Sequence, residues 1–85
     1  MILSVELSFY PFADDYKLPV KQVIAKLATY TDIEVQANRM STQIFGDFEA
    51  VTQALNDTMV WSFEEFGHCV FVAKYMQGDR RPLTS

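Results

Sequence analysis

The chain is poor in cysteine, glycine and basic residues, and each scarcity narrows its chemistry. Cys69 is the single cysteine, so no internal disulfide can form and no multi-cysteine zinc or iron-sulfur site can be built. Glycine occurs only at positions 46, 67 and 78, which leaves no Gly-rich phosphate loop, Walker sequence or nucleophile elbow. Lysine and arginine number 7 against 11 acidic residues, giving a formal net charge of −4. With no basic stripe to follow a phosphate backbone, nucleic acid is not an expected partner. No long apolar run, basic leader or small-residue cleavage site is present. A cytoplasmic protein without a membrane partner is the expectation.

What remains is a composition made for a packed core. Of the 85 residues 49% are apolar and 21% charged, a balance that folds rather than stays disordered. The length suits one domain, read as residues 1–78 with a polar C-terminal tail at 79–85. A domain this small hides only roughly 60 to 65% of its unfolded surface, which favours association between subunits.

Two periodicities divide the chain. Leu3, Val5, Leu7 and Phe9 alternate with Ser4, Glu6, Ser8 and Tyr10, the signature of a half-buried strand that ends near Pro11. Pro19 fits the first turn of a helix, and Val20, Val23, Ile24, Leu27 and Tyr30 follow at helical spacing. Ile33, Val35 and Ala37 then alternate with Glu34, Gln36 and Asn38, predicting a second strand over 33–38. Arg39-Met40 reads as a turn, and residues 41–45 as the returning strand of a hairpin stopped by Gly46. Asp47 is placed as the N-cap of a long helix, with Phe48, Val51, Leu55, Met59, Ser62, Phe63 and Phe66 on one side and Gly67 as its stop. Trp61 falls on the opposite side of that helix, partly exposed. The apolar run 69–76, broken by Lys74, predicts a last strand covered on both faces. Alternation does not settle which way residues 41–45 and 69–76 face.

The order β-α-β-β-α-β with right-handed crossovers predicts an α+β, ferredoxin-like sandwich: an antiparallel sheet ordered 4-1-3-2 with both helices on one face. The other face is then open. It carries Glu6, Ser8 and Tyr10 from the first strand and Gln36 and Asn38 from the second, either as plain solvated sheet or as a ligand floor roofed by a second subunit. Glu6 is the sharpest of these, because a carboxylate in mid-strand needs water or a partner. The segment Met40-Ser41-Thr42-Gln43 adds hydroxyls and an amide at one end of the sheet, as turn chemistry or as ligand contacts.

The remaining candidates point away from catalysis. His68 and Cys69 are adjacent and face opposite ways in an extended strand, so they form no thiolate-imidazole pair. Asp14 and Asp15 lack a spaced third ligand, so no metal and no cofactor is expected, and the chain is read as not an enzyme. The rivals are an assembly module whose open face only makes an oligomer, and a small enzyme on a fold that hosts many functions.

Three stretches carry a resemblance: Val5-Glu6-Leu7-Ser8-Phe9-Tyr10-Pro11, Asn38-Arg39-Met40-Ser41-Thr42-Gln43-Ile44-Phe45-Gly46, and Phe63-Glu64-Glu65-Phe66-Gly67. Over residues 1 to about 79 the chain resembles the YkoF-like thiamine-binding family, most specifically in the Met-Ser-Thr-Gln-x-Phe-Gly segment. That resemblance implies a ferredoxin-like fold, oligomerisation through sheets, and noncatalytic binding of thiamine or its hydroxymethylpyrimidine part. Some members carry two tandem copies of the domain where this chain has one, so the resemblance implies that a homodimer or homotetramer supplies the equivalent surfaces. The match nominates Ser41, Thr42 and Gln43 on the hairpin and Glu6, Ser8 and Tyr10 on the strand. In this reading Thr42, Gln43 or Asn38 hydrogen-bonds the aminopyrimidine, Tyr10 or Phe71 stacks on it, and Glu6 reads the ring or its charge.

Overall fold

A computed structural model describes residues 1–82. The elements run β1 (Ile2–Pro11), α1 (Lys17–Leu27), β2 (Ile33–Ala37), β3 (Thr42–Asp47), α2 (Phe48–Phe66) and β4 (Cys69–Gln77). The strands form one antiparallel sheet ordered β2-β3-β1-β4, which is the predicted 4-1-3-2 read from the other edge. Leu3, Val5, Leu7, Val23, Leu27, Ile44, Val51 and Leu55 make the core between the sheet and both helices.

Strand register decides the facing of every side chain, because residues directly opposite in an antiparallel pair share a face. Thr42 lies opposite Leu7 and Ile44 opposite Val5, so both point toward the helices. Gln43 and Phe45 lie opposite Glu6 and Ser4 and take the open face. In β4, Phe71 is opposite Phe9 and joins the helix side, whereas Val70, Val72, Lys74 and Met76 take the open side.

Several boundaries differ from the periodic reading for local reasons. Helix α1 begins at Lys17, with the Asp15 carboxylate accepting from the Lys17 N–H, so Pro19 is the third helical residue, where no intrahelical donor is required. Tyr30 lies beyond the helix end, its ring under the Lys26 ammonium. Gly46 does not stop β3 but pairs with Leu3 and Ile33 inside it. A Cβ there would come within 3.3 Å of the Asp32 carbonyl oxygen and of Val51, which explains the residue without any turn. Asp47 holds the N-cap position with extended backbone, yet its carboxylate reaches the terminal amine of Met1 at 3.4 Å rather than the helix.

Helix α2 is rotated from its expected face. Val51, Ala54, Leu55, Thr58 and Ser62 are buried, while Phe48 and Phe63 are about half exposed. Small side chains line the inward stripe, so the helix sits close to its neighbours and the large aromatics are displaced to its flanks. Trp61 is half-buried rather than turned outward, edge-on to Phe66 at 5.5 Å and packed on the core. Strand β4 is likewise covered on one face only; Val70, Val72 and Met76 remain exposed because nothing among the described residues covers them.

Thr58 yields the first prediction. Among the described residues its buried hydroxyl has no hydrogen-bond partner, and a buried polar group left unpaired is costly. Thr58→Val keeps the shape and removes the polar atom. We expect a gain of about 1 kcal/mol in urea denaturation; a loss would show that the hydroxyl is satisfied.

The residues after β4 turn back across the open face. Gly78, at φ +98°, donates its N–H to the Ile2 carbonyl at 2.8 Å. The Ser4 hydroxyl donates to the Gly78 carbonyl at 2.7 Å and accepts from the Arg80 N–H at 2.9 Å. Arg81 forks onto Asp79, reaches Glu34 at 3.3 Å and lies over the Phe45 ring. These contacts leave Ser4 1% and Phe45 2% exposed, although both belong to the open face. The rest of the expected tail, Leu83 to Ser85, lies outside the described residues.

Candidate functional site

A cavity of about 480 Å³ opens where β1 ends and the β2-β3 hairpin turns, on the helix side of the sheet. Its floor is Leu7 and Phe9, which alternation directs toward α1. One wall is α1 itself, through Val20, Val23 and Ile24. The end of β1 contributes Tyr10 and Pro11, its connection to α1 contributes Ala13 and Tyr16, and the hairpin contributes residues 38–42. The lining is mostly apolar with a few polar groups at one side, the usual make-up of a small-molecule site.

Hairpin geometry follows from Asn38. Strand β2 stops at Ala37, so Asn38 lies in the turn rather than in the strand. Its Oδ1 accepts from the N–H groups of Met40 at 2.7 Å and Ser41 at 3.0 Å, while its own N–H donates to the Ser41 carbonyl at 3.0 Å. This is side-chain mimicry of a backbone turn. The acceptor is therefore committed locally, and the Nδ2 amide is what Asn38 can offer a ligand.

Of the predicted site residues, Ser8, Tyr10, Asn38, Ser41 and Thr42 line this one cavity. Thr42 is half-buried at the end of β3, on the helix side by its pairing with Leu7. Tyr10 is 55% exposed at the mouth. Three others are not brought there. Phe71 packs against Phe9 at 4.8 Å and Phe63 at 5.8 Å on the helix side of the sheet, so it offers the open face no ring. Glu6 and Gln43 face each other across β1 and β3 on the open face, outside the cavity. There the Glu6 carboxylate accepts from the Ser41 hydroxyl at 3.1 Å and pairs with Lys74 at 3.6 Å.

Sequence reasoning missed Val20 and Ile24 as cavity walls, because helical spacing marks them only as apolar, and it passed over Tyr16, which lies just before the helix. It also missed Lys74 as the partner of Glu6. The signal was available in the lone charge interrupting residues 69–76, but only the register sets it opposite Glu6.

Other chemistry is sparse. Cys69 begins β4, and burial pushes its thiol up, away from the reactive thiolate. His68 beside it is exposed. Among the described residues no group of three or more His, Cys, Asp or Glu is placed to hold a metal ion. No helix among them is long and apolar enough to cross a membrane.

No sequence-family model matches the chain, and no curated protein matches it. Solved structures do. A hypothetical protein from Methanocaldococcus jannascii superposes with a TM-score of 0.78 at 21% identity, covering 98% of this chain and 87% of that one. A Thermotoga maritima protein, provisionally named a thiamine biosynthesis/salvage protein, gives 0.77 at 14% identity over 88% of this chain and 82% of its own. A domain of unknown function from Bacillus cereus gives 0.74 at 13% identity, covering 99% of this chain and 83% of that one. At such identities the likeness shows the ferredoxin-like fold, in company that includes one thiamine-related name.

Proposed function

We propose that the chain binds thiamine or its hydroxymethylpyrimidine part in the cavity between α1 and the hairpin, without transforming it, as a carrier or sensor in vitamin handling. One observation carries this reading: five residues singled out from the sequence, Ser8, Tyr10, Asn38, Ser41 and Thr42, line a single hollow. Its volume of about 480 Å³ falls within the range of small-molecule pockets. The thiamine-related name of the Thermotoga maritima structure adds support from a different direction. A heteroaromatic ring would lie against Leu7, Phe9 and Ile24, with the Thr42 hydroxyl and the Asn38 amide toward its nitrogens and Tyr10 across the mouth.

Calorimetric titration with thiamine and with hydroxymethylpyrimidine tests the proposal. The parent chain should release or take up heat, and Ile24→Trp, which sets a bicyclic ring in the hollow, should weaken binding more than tenfold. Phe71→Leu should leave affinity within about twofold, since that ring faces elsewhere. Absence of both heat and a thermal shift at millimolar ligand would end the binding reading.

A second reading is favoured by exposed Val70 and Val72 on β4, at 40% and 49%. Here the open face joins copies of the chain into an oligomer and no small ligand is bound. Concentration-dependent mass without any ligand heat would favour it.

A further inference from the structure

We propose that Glu6 is a positioning residue that couples the open face of the sheet to the cavity on the opposite side, acting through Ser41. The coupling itself is independent of any ligand; its effect on affinity rests on the binding reading above.

Glu6 does not line the cavity, whereas Ser41 does. The Ser41 hydroxyl donates to Glu6 Oε2 at 3.1 Å, in a part-buried contact spanning 35 positions of sequence. Ser41 is also fixed from the turn side, because the Asn38 Oδ1 accepts its N–H and the Asn38 N–H donates to its carbonyl. The same Oδ1 takes the N–H of Met40, another cavity residue. A chain of hydrogen bonds therefore runs from a carboxylate on one face of β1, through Ser41, to the backbone that shapes the cavity wall on the other. A connected network of this kind is stiffer than its separate bonds.

Lys74 engages the carboxylate from the open face without displacing Ser41. Its ammonium stands 3.6 Å from the other carboxylate oxygen of Glu6 and is itself 74% exposed, so this contact is weakly held and open to competition. A cation or donor that engages Glu6 on the open face competes for the carboxylate with Ser41, and the hairpin loosens. The cavity wall thus reports the occupancy of the sheet surface.

The test is amide hydrogen exchange across the hairpin, with the slow Leu55 amide as a monitor of global opening. Glu6→Ala should speed exchange at Met40 and Ser41 by about three- to tenfold, the change expected for one lost hydrogen bond. Ser41→Ala should do the same, and the double variant should add nothing further. Glu6→Gln retains an acceptor for the Ser41 hydroxyl and should restore the parent rates within about twofold, while Lys74→Ala leaves them unchanged. Hairpin rates that do not respond to Glu6→Ala, or that respond equally to Glu6→Gln, would overturn the coupling. In parallel, titration with thiamine should show three- to tenfold weaker binding for Glu6→Ala and near-parent binding for Glu6→Gln. A parent chain that gives no heat with thiamine removes the binding reading and leaves the exchange result to stand or fall alone.

Discussion

Truncation of Ile44 to alanine should destabilise the chain by about 3 to 4 kcal/mol in urea or thermal denaturation. Ile44 lies in the middle of β3 with no exposed surface, opposite Val5 on one side and Val35 on the other. Its side chain points into the single core, where neighbours on two strands and both helices hold their places and collapse only partly into a void. A domain of this length has roughly 5 to 10 kcal/mol of stability in all, so one deletion of this kind removes a third or more of it. A loss below about 1 kcal/mol would mean that the sheet and helices do not meet at β3 as described.

Ser4→Ala should cost about 2 kcal/mol, a large effect for a residue that alternation assigns to the open face. Its hydroxyl serves two backbone groups at once, the Gly78 carbonyl and the Arg80 N–H. Without it the strap of residues 78–82 keeps only the Gly78 to Ile2 backbone bond and the Arg81 contacts. Arg81 is a poor substitute. Its hydrogen bonds hold Asp79 below the usual carboxylate range, but the Asp79 side chain is about half exposed and water screens the pair. The strap should therefore lift, exposing Phe45, and amide exchange at Arg80 should accelerate along with the fall in urea midpoint. Unchanged exchange at Arg80 would show that the strap is held by other contacts.

These two residues mark how far the chain could be read in advance. Ile44 sat in a segment whose facing could not be settled, because residues 41–45 carry polar and apolar groups without clean alternation; its burial became visible only through pairing with Val5. Ser4 was placed on the correct face and its burial was missed, because the cover comes from residues more than seventy positions later. The candidate site divides in the same way. Asn38, Ser41 and Thr42 stood out as hydroxyl and amide side chains at a hairpin, and Ser8 and Tyr10 as polar positions alternating along the first strand; all five line the cavity. Phe71 was misplaced by the uniformly apolar character of β4, which hides a side chain's direction. Glu6 was singled out for a ligand, whereas its contacts in the fold are the hairpin and an edge-strand lysine.

Order of elements, their approximate limits and the strand sequence across the sheet were all present in the one-dimensional pattern. Periods of two and of three to four residues arise from the geometry of a strand or a helix alone, and few topologies join six such elements without left-handed crossovers. Which residues share a face across strands, which end of the sheet is hollow and which part of it the chain covers again came from the folded arrangement. Those properties depend on register and on contacts between distant segments, and a shift of one residue in pairing would exchange the two faces while leaving every local period intact.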